Sequence, residues 1–370
     1  MRNKQKRILF IGNCLLGNKV FTSDLKKVLD RIKYIKTDTI YIEWKDYMPY
    51  PVSFLQKKLG MAFETLCVIR QKIKEVDFSL YDMVIAQGFE IGWVINNNVK
   101  HIPCIMFHDA TPTCSHELLW KYKYNGRIHK TRSVILFLIY KLFFKNIFRN
   151  IDKFFPMTNW CEKSLVRDFA IPADRVESGI VGIDLKEWRV SDRNDNKDKI
   201  QLLFVGNNDF RSKGGEFLLS LYSRLSDRVG LTIVSNDKTL DAMCFPPGVY
   251  RLKNVAHDAM PDIFGEADIF IFPTYKDCLG LVQIEALASG LPLISRDIGG
   301  VSDAVKDGYN GYLMPYASTE GEWIQRIRYL ANHPEERKRM GLNSRKIAEE
   351  KYSLEKFEKT VYSAINALIE

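Results

Sequence analysis

Two carboxylates stand eight positions apart in the stretch DIFIFPTYKDCLGLVQIEALASGLP (268–292): Asp277 and Glu285. Asp268 to Pro273 combines apolar, aromatic and β-branched residues and is stopped by proline, which predicts a short buried strand. Residues 274–280 form a loop. Leu281, Ile284, Leu287 and Ala288 then recur at helical spacing until Ser289-Gly290, ahead of Pro292. A strand that ends in a glycine-containing turn and opens a helix is a place to hold an anion. The free N–H groups of Leu281 and Val282 point out of the helix start, where the dipole favours negative charge. Glu285 lies about two helical turns from Asp277, at ~1.5 Å per residue, so the two carboxylates flank whatever the helix start holds. A phosphate with hydroxyl-rich groups on either side is the outline of a nucleotide sugar. The plainer reading of Asp277 is a residue that caps the helix region.

Other chemistry-bearing side chains follow other apolar runs. The strand at 200–205 leads through Gly206 into a polar, glycine-flanked loop with Arg211 and Lys213. These supply positive charge to a diphosphate, arginine as a planar fork and lysine as a compact point charge; the bland alternative is a solvated turn. IPCIMFHDATPT (102–113) is an apolar strand running out into His108 and Asp109. Functional loops of open α/β sheets lie at the carboxyl ends of strands, although a histidine at a strand end is more often structural. Near the N-terminus, Ile8 to Ile11 reads as a first buried strand, and the loop Gly12 to Gly17 opens a helix near Phe21. It is not a Walker loop, because Asn-Lys-Val follows Gly17, and it is not GxGxxG.

The elements that must position these groups alternate. TDTIYIEW (37–44) and YDMVIAQG (81–88) read as strands around a helix at about 55–77, and 152–188 reads as strand, helix, turn and strand. Later come a helix from about Glu216, strand-like segments at 231–236 and 249–257, and a helical pattern from Ser353 through Phe357, Val361, Ile365 and Leu368. This is a parallel α/β rhythm. The polar, aperiodic SDRNDNKDK (191–199) reads as a linker. At 370 residues the chain accommodates two domains, each with its own core.

Asp277-x7-Glu285, with Gly280-Leu281 inside it and EALASGLP after it, resembles the E-x7-E donor motif of the family 4 (group 1) retaining glycosyltransferases of the GT-B fold. In that family the second carboxylate binds ribose hydroxyls, the first binds the transferred sugar, and the intervening amides bind the diphosphate. The chain departs at the first position, where Asp277 keeps the charge with a reach one methylene shorter. Where the family has Gly-Arg followed by Lys-Gly, this chain has Gly206-Asn207 and Lys213-Gly214, with Arg211 as a possible replacement for the missing charge. His108 matches a family histidine near the reacting sugar, and Gly17 the glycine that lets the backbone approach the donor. The resemblance implies two Rossmann-like domains facing each other across a cleft that holds the active site. They are an acceptor-side domain at 1–188 and a donor-binding domain at 200–352, joined by a linker at 189–199, with the final helix (353–370) packing back on the first. The implied donor-binding set is Gly17, Gly206, Arg211, Lys213, Leu279, Gly280, Leu281, Val282 and Glu285; His108 and Asp277 are the implied catalytic pair.

Charge and cysteines bound the rest. Residues 121–153 hold nine Lys or Arg against one acid, leaving +8 of the chain's net +9. If 127–149 is one helix, Arg127, Lys130, Lys141, Lys145 and Arg149 gather on one side at ~100° per residue. The apolar stretch Val134 to Tyr140 is too short to span a bilayer. A basic amphipathic helix suits an anionic membrane surface; an ordinary domain helix packed on the sheet fits equally. No nucleic-acid motif is present. Seven cysteines, odd in number and without CxxC or CxxH spacing, point to a reducing compartment and away from a zinc site.

The expectation is therefore a cytoplasmic, hexosyltransferase-type enzyme, peripheral on a membrane if the basic helix serves that end. It takes a UDP- or GDP-linked sugar to a glycan or lipid-linked acceptor with retention, and needs no metal or cofactor. Two alternatives stay open: a GT-B nucleotide-sugar epimerase, which needs no acceptor, and an inactive binding or scaffold protein.

Overall fold

The structure, a computed structural model, describes residues 5–14, 18–43, 46, 61–124, 147–190 and 199–369. Gly17, the start of the helix read from about 55, the basic residues 125–146 and the linker residues 191–198 lie outside them. The chain divides into two compact units: Met1–His116 with Ile128–Gly182 and Glu355–Glu370, and Glu117–Arg127 with Ile183–Leu354.

In chain order the first part contains β1 (Lys6–Asn13), α1 (Asn18–Arg31), β2 (Ile35–Ile42), α2 (Met61–Ile73), β3 (Met83–Gln87), α3 (Phe89–Ile95), β4 (Cys104–His108), α4 (Pro112–Tyr124), β5 (Lys153–Pro156) and α5 (Asn159–Phe169). The strands form one parallel sheet in the order β2-β1-β3-β4-β5. Its central strands are buried on both faces, as near-continuous apolar runs such as ILFI require. A Cβ on Gly12 would lie 2.5 Å from Thr22 Cγ2, so this glycine lets α1 close onto β1.

The second part contains β6 (Ile200–Asn207), α6 (Gly215–Tyr222), β7 (Val229–Ser235), β8 (Val249–Leu252), α7 (Met260–Glu266), β9 (Ile269–Phe272), α8 (Leu281–Ala288), β10 (Leu293–Arg296), β11 (Gly311–Met314), α9 (Glu320–Asn332) and α10 (Pro334–Lys351). A last helix, α11 (Leu354–Ile369), lies almost wholly in the first unit, where Phe357 packs on Phe21. The second sheet is also parallel, in the order β11-β10-β9-β6-β7-β8. The strand expected over 249–257 stops at Leu252, because Asn254 takes φ +53° and turns the chain. Arg345 ties the start of this unit down, donating to the carbonyls of Trp188 (2.6 Å) and Ala288 (2.7 Å).

Both sheets have a point where strand order reverses: between β1 and β3, and between β6 and β9. Ligands of open α/β sheets bind outside the carboxyl ends of strands at such a point. The loops carrying Lys213 and Asp277 leave β6 and β9, the two strands that meet there in the second sheet.

Candidate active site

The loop after β6 is held by one of its own side chains and by one from the loop after β7. Asp209 accepts from the Ser212 N–H (3.2 Å), and Asp237 accepts from the Phe210 N–H (2.9 Å). Gly214, at φ +84°, closes it; a Cβ there would lie 2.1 Å from the Pro273 carbonyl oxygen at the end of β9. The Tyr275 N–H donates to Ser212 O (2.8 Å), so the two loops are joined through main chain. Between them Lys213 Nζ makes an ion pair with the Asp277 carboxylate. Burial pulls the lysine's pKa down, but the attraction of Asp277 and its hydrogen bond outweigh it and the pKa rises. Lys213 is therefore a fixed cation.

Asp277 is held from the other side by the turn after β10. The Gly300 N–H donates to Cys278 O (2.6 Å), and a Cβ on Gly299 would come within 2.3 Å of Asp277 O. Gly280, at φ +73°, turns the chain into α8; its missing Cβ leaves room for the Phe272 ring, which it would meet at 2.8 Å. The amides of Leu281 and Val282 open the helix without an intrahelical acceptor. The Leu279 side chain is buried, so it can serve a ligand only through main chain, and its carbonyl accepts from Gln283 Nε2 (2.5 Å). Glu285 lies on the buried side of α8, 8% exposed. Gly206 is buried against Phe204 at the end of β6.

Lys213, Asp277 and the start of α8 thus come together at the β6/β9 switch point, with Glu285 about one turn into that helix. Arg211 stands apart from them. It is largely exposed and faces Glu216 at 3.4 Å, since its position in the loop turns it toward solvent. Gly17, Arg127, Lys130, Lys141 and Lys145 lie outside the described residues. Arg149 is exposed on a turn at 147–150 beside the buried Ile147 and Phe148.

In the first unit His108 ends β4 and is 1% exposed, packed between Phe148 and Phe154 (ring centroids 6.0 and 6.2 Å). Burial pushes its pKa down to about 3, so the imidazole is neutral. Neither ring nitrogen has a hydrogen-bond partner among the described residues.

Two side chains that sequence reasoning passed over belong to these strand ends. Arg296, at the end of β10, is 2% exposed. Its guanidinium lies 4.3–5.6 Å from the ring centroids of Phe217, Tyr275, Tyr316 and Trp323, and it donates to Pro273 O (3.2 Å) and Tyr316 O (2.7 Å). No carboxylate pairs with it among the described residues. It holds the same Pro273 carbonyl that Gly214 approaches. Glu90, in the first turn of α3, has its pKa raised to about 7, by burial first and by the charge of Asp109 as well.

Residues 199–333 match the sequence model described as group 1 glycosyl transferases. They are a group 1 glycosyltransferase domain. The match takes in Gly206, Lys213, Asp277, Gly280 and Glu285, so the resemblance read from these residues holds for the domain that carries them. D-inositol 3-phosphate glycosyltransferase of Nocardia farcinica is 36% identical over 87 residues, 24% of this chain and 19% of its own length. The stretches matched in such curated relatives cover less than half of their length. Solved structures extend the likeness to the fold of the whole chain. Sucrose-phosphate synthase from Thermosynechococcus elongatus superposes with a TM-score of 0.76 at 17% identity, covering 98% of this chain and 99% of its own. Anabaena Alr3699/HepE, solved with UDP and glucose, gives 0.66 at 14%, covering 98% and 100%. The fold is therefore the GT-B type expected: two Rossmann-like parallel-sheet domains.

Proposed function

We propose that the protein is a retaining glycosyltransferase of hexosyltransferase type, which takes a sugar from a nucleotide donor to a hydroxyl of a glycan or lipid-linked acceptor. The observation that carries this reading is the Lys213–Asp277 ion pair set against the start of α8, with Glu285 on the same helix. In the proposed complex, Lys213 Nζ and the amides of Leu281 and Val282 receive the diphosphate, Glu285 accepts hydrogen bonds from ribose hydroxyls, and Asp277 orients the transferred sugar. As the bond to the sugar breaks, charge grows on the leaving diphosphate. A fixed lysine and a helix start stabilise it there without the need to reorganise, the part a metal plays elsewhere. The leaving phosphate takes the acceptor proton on the same face of the sugar. His108, neutral and buried, contributes through position rather than charge.

UDP is favoured as the carrier because a neighbour of the same fold was solved with UDP and glucose. A lipid-linked acceptor and an anionic membrane surface fit the basic segment 121–153. Among the described residues no helix is long and apolar enough to cross a membrane.

The test is thermal-shift screening of wild type and Glu285→Ala against UDP, GDP, ADP and their sugar conjugates. A ligand bound only by the native state raises apparent stability by mass action. Stabilisation by one nucleotide family, lost in the variant, is expected; no stabilisation by any of them removes the donor site. Product analysis with donor alone separates transfer from epimerisation.

A further inference from the structure

The carboxyl ends of β9, β10 and β11 lie side by side in the second sheet, with β10 in the middle. Main-chain pairing of β10 with β9 ends at Ser295 and Phe272. The next residue after β9 is Pro273, which has a carbonyl but no N–H to offer a neighbour. One step along β10 a side chain continues the ladder. Arg296 Nε donates to Pro273 O (3.2 Å) on one side, and Nη1 donates to Tyr316 O (2.7 Å), two residues beyond β11, on the other. Among the described residues these are its two hydrogen bonds, and Nη2 is buried without a partner. One planar group thus staples three strand ends.

The surroundings keep the staple rigid. The guanidinium is walled by Phe217 from α6, Tyr275 from the loop after β9, Tyr316 from the segment after β11, and Trp323 from α9. Phe217 and Trp323 also pack edge-on against each other, with ring centroids 5.6 Å apart. Ring faces hold a cation through their quadrupoles. The planar fork bridges two carbonyls at fixed spacing, which the compact charge of a lysine cannot do.

From Pro273 this geometry passes to the donor loops. Gly214 closes against the Pro273 carbonyl that Arg296 holds; a Cβ on Gly214 would lie 2.1 Å from that oxygen. Tyr275, whose ring centroid lies 4.3 Å from Arg296 Cζ, donates its N–H to Ser212 O (2.8 Å), and Thr274 Oγ1 reaches the same oxygen at 3.3 Å. Ser212 and Gly214 are the two chain neighbours of Lys213. Both residues that flank the lysine therefore rest on the stretch 273–275 that Arg296 fixes, and Asp277, its ion-pair partner, stands two residues further on.

We propose that Arg296 is a positioning residue for the donor diphosphate, acting through Pro273 and Tyr275 to hold Lys213 where it meets the phosphates. The proposal rests on the reading of Lys213 as a diphosphate ligand. Arg296 is 2% exposed and acts without touching the donor. Loosening the staple leaves Lys213 charged but lets the two loops drift against each other, and a hydrogen bond weakens steeply as its distance and angle depart from ideal.

The test is a double-mutant cycle read by isothermal titration calorimetry with UDP. Wild type, Arg296→Lys, Lys213→Met and the Arg296→Lys/Lys213→Met double variant are compared below the onset of thermal unfolding of each. Arg296→Lys keeps the buried charge and gives up the fork, so its Kd is expected to rise about tenfold with stoichiometry unchanged. In the Lys213→Met background the same substitution should change the Kd by less than about twofold, because a residue that acts through Lys213 then has nothing to act on. A purely stabilising role predicts a different pattern: the binding-competent fraction falls while the Kd of the folded molecules stays that of wild type. That pattern, or equal losses in both backgrounds, overturns the proposal and leaves the donor site standing. Failure of the wild type to bind UDP, GDP or ADP instead removes the donor site, and this proposal with it. If Arg296→Lys does not fold, Phe217→Leu takes its place in the cycle, since it removes one wall of the cage from outside both loops. A loss of about threefold that again disappears with Lys213 is expected there, and a wild-type Kd overturns the proposal.

Discussion

Replacing Lys213 by methionine keeps the length of the side chain and removes its charge. The partner, Asp277, has a side chain only 13% exposed, against 27% for Lys213. Exposed pairs contribute about 0–1 kcal/mol, and breaking a fully buried pair costs about 3–5 kcal/mol. This pair lies between those limits, so stranding Asp277 is expected to cost about 2 kcal/mol, a fall in Tm of roughly 4–8 °C for a domain of this size. The donor should lose more. A charge-assisted hydrogen bond contributes about 1.5–3 kcal/mol, which weakens nucleoside diphosphate binding about 10- to 150-fold. Asp277→Asn separates the two effects. It frees Lys213 for the diphosphate, so UDP binding is expected to hold or tighten, while binding of the sugar conjugate and turnover fall. Restoring neutrality in the Lys213→Met/Asp277→Asn double variant should recover part of the lost stability but none of the UDP affinity. Isothermal titration calorimetry with UDP and UDP-glucose, beside thermal unfolding of all four proteins, reads each term. If Lys213→Met is destabilised but binds UDP with wild-type affinity, Lys213 serves only to hold Asp277 and the donor-site argument fails.

Three further perturbations probe neighbouring parts of the site. Gly280→Ala forces a Cβ into the left-handed region and to within 2.8 Å of Phe272, so a loss of about 1–3 kcal/mol in chemical denaturation is expected, with weaker UDP binding as the Leu281 amide moves. Arg296→Met removes a cation caged by four rings and its two carbonyl hydrogen bonds; a loss of about 3–4 kcal/mol is expected, and Arg296→Lys should recover less than half of it, because lysine lacks the fork that spans Pro273 O and Tyr316 O. Glu90→Gln should alter stability against pH. A carboxyl whose folded pKa is about 7, above its ordinary 4.5, stays protonated in the native state after the unfolded chain has ionised, so stability falls as pH rises from 4.5 to about 7 and is flat above. The difference of 2.5 (7 − 4.5) corresponds to at most about 3 kcal/mol for this partly wetted side chain. The glutamine variant should lose that slope and gain stability at pH 8; an unchanged slope refutes the assignment.

How much of this was legible in the sequence depends on what each residue's signal rests on. That Lys213 and Asp277 meet could be read because parallel strands put their loops at one edge, and the turn into α8 could be read because a glycine precedes the helix. Arg296 could not. An arginine closing the apolar run LPLIS reads as a strand end reaching solvent, and the four rings that cage it come from four separate segments. Glu90 reads as an ordinary first-turn acid, since its raised pKa comes from burial and from Asp109 in the loop after β4.

His108 shows where strand logic itself gives out. The sequence places it at a carboxyl end, and the structure agrees: it is the last residue of β4. What the sequence lacks is the face. Side chains alternate along a strand, so Phe107 and His108 point to opposite sides of the sheet. In CIMFH both sides are apolar and the run is buried throughout, so there is no polar residue to reveal the parity. Phe107 goes to the side of Phe21 and Phe357. His108 shares its side with Met106, and its ring lies against Phe148 and Phe154. A half-exposed strand would have announced this through alternation. A central strand of a doubly covered sheet carries no such mark, and the position that makes a histidine look functional is the position where its direction is least readable.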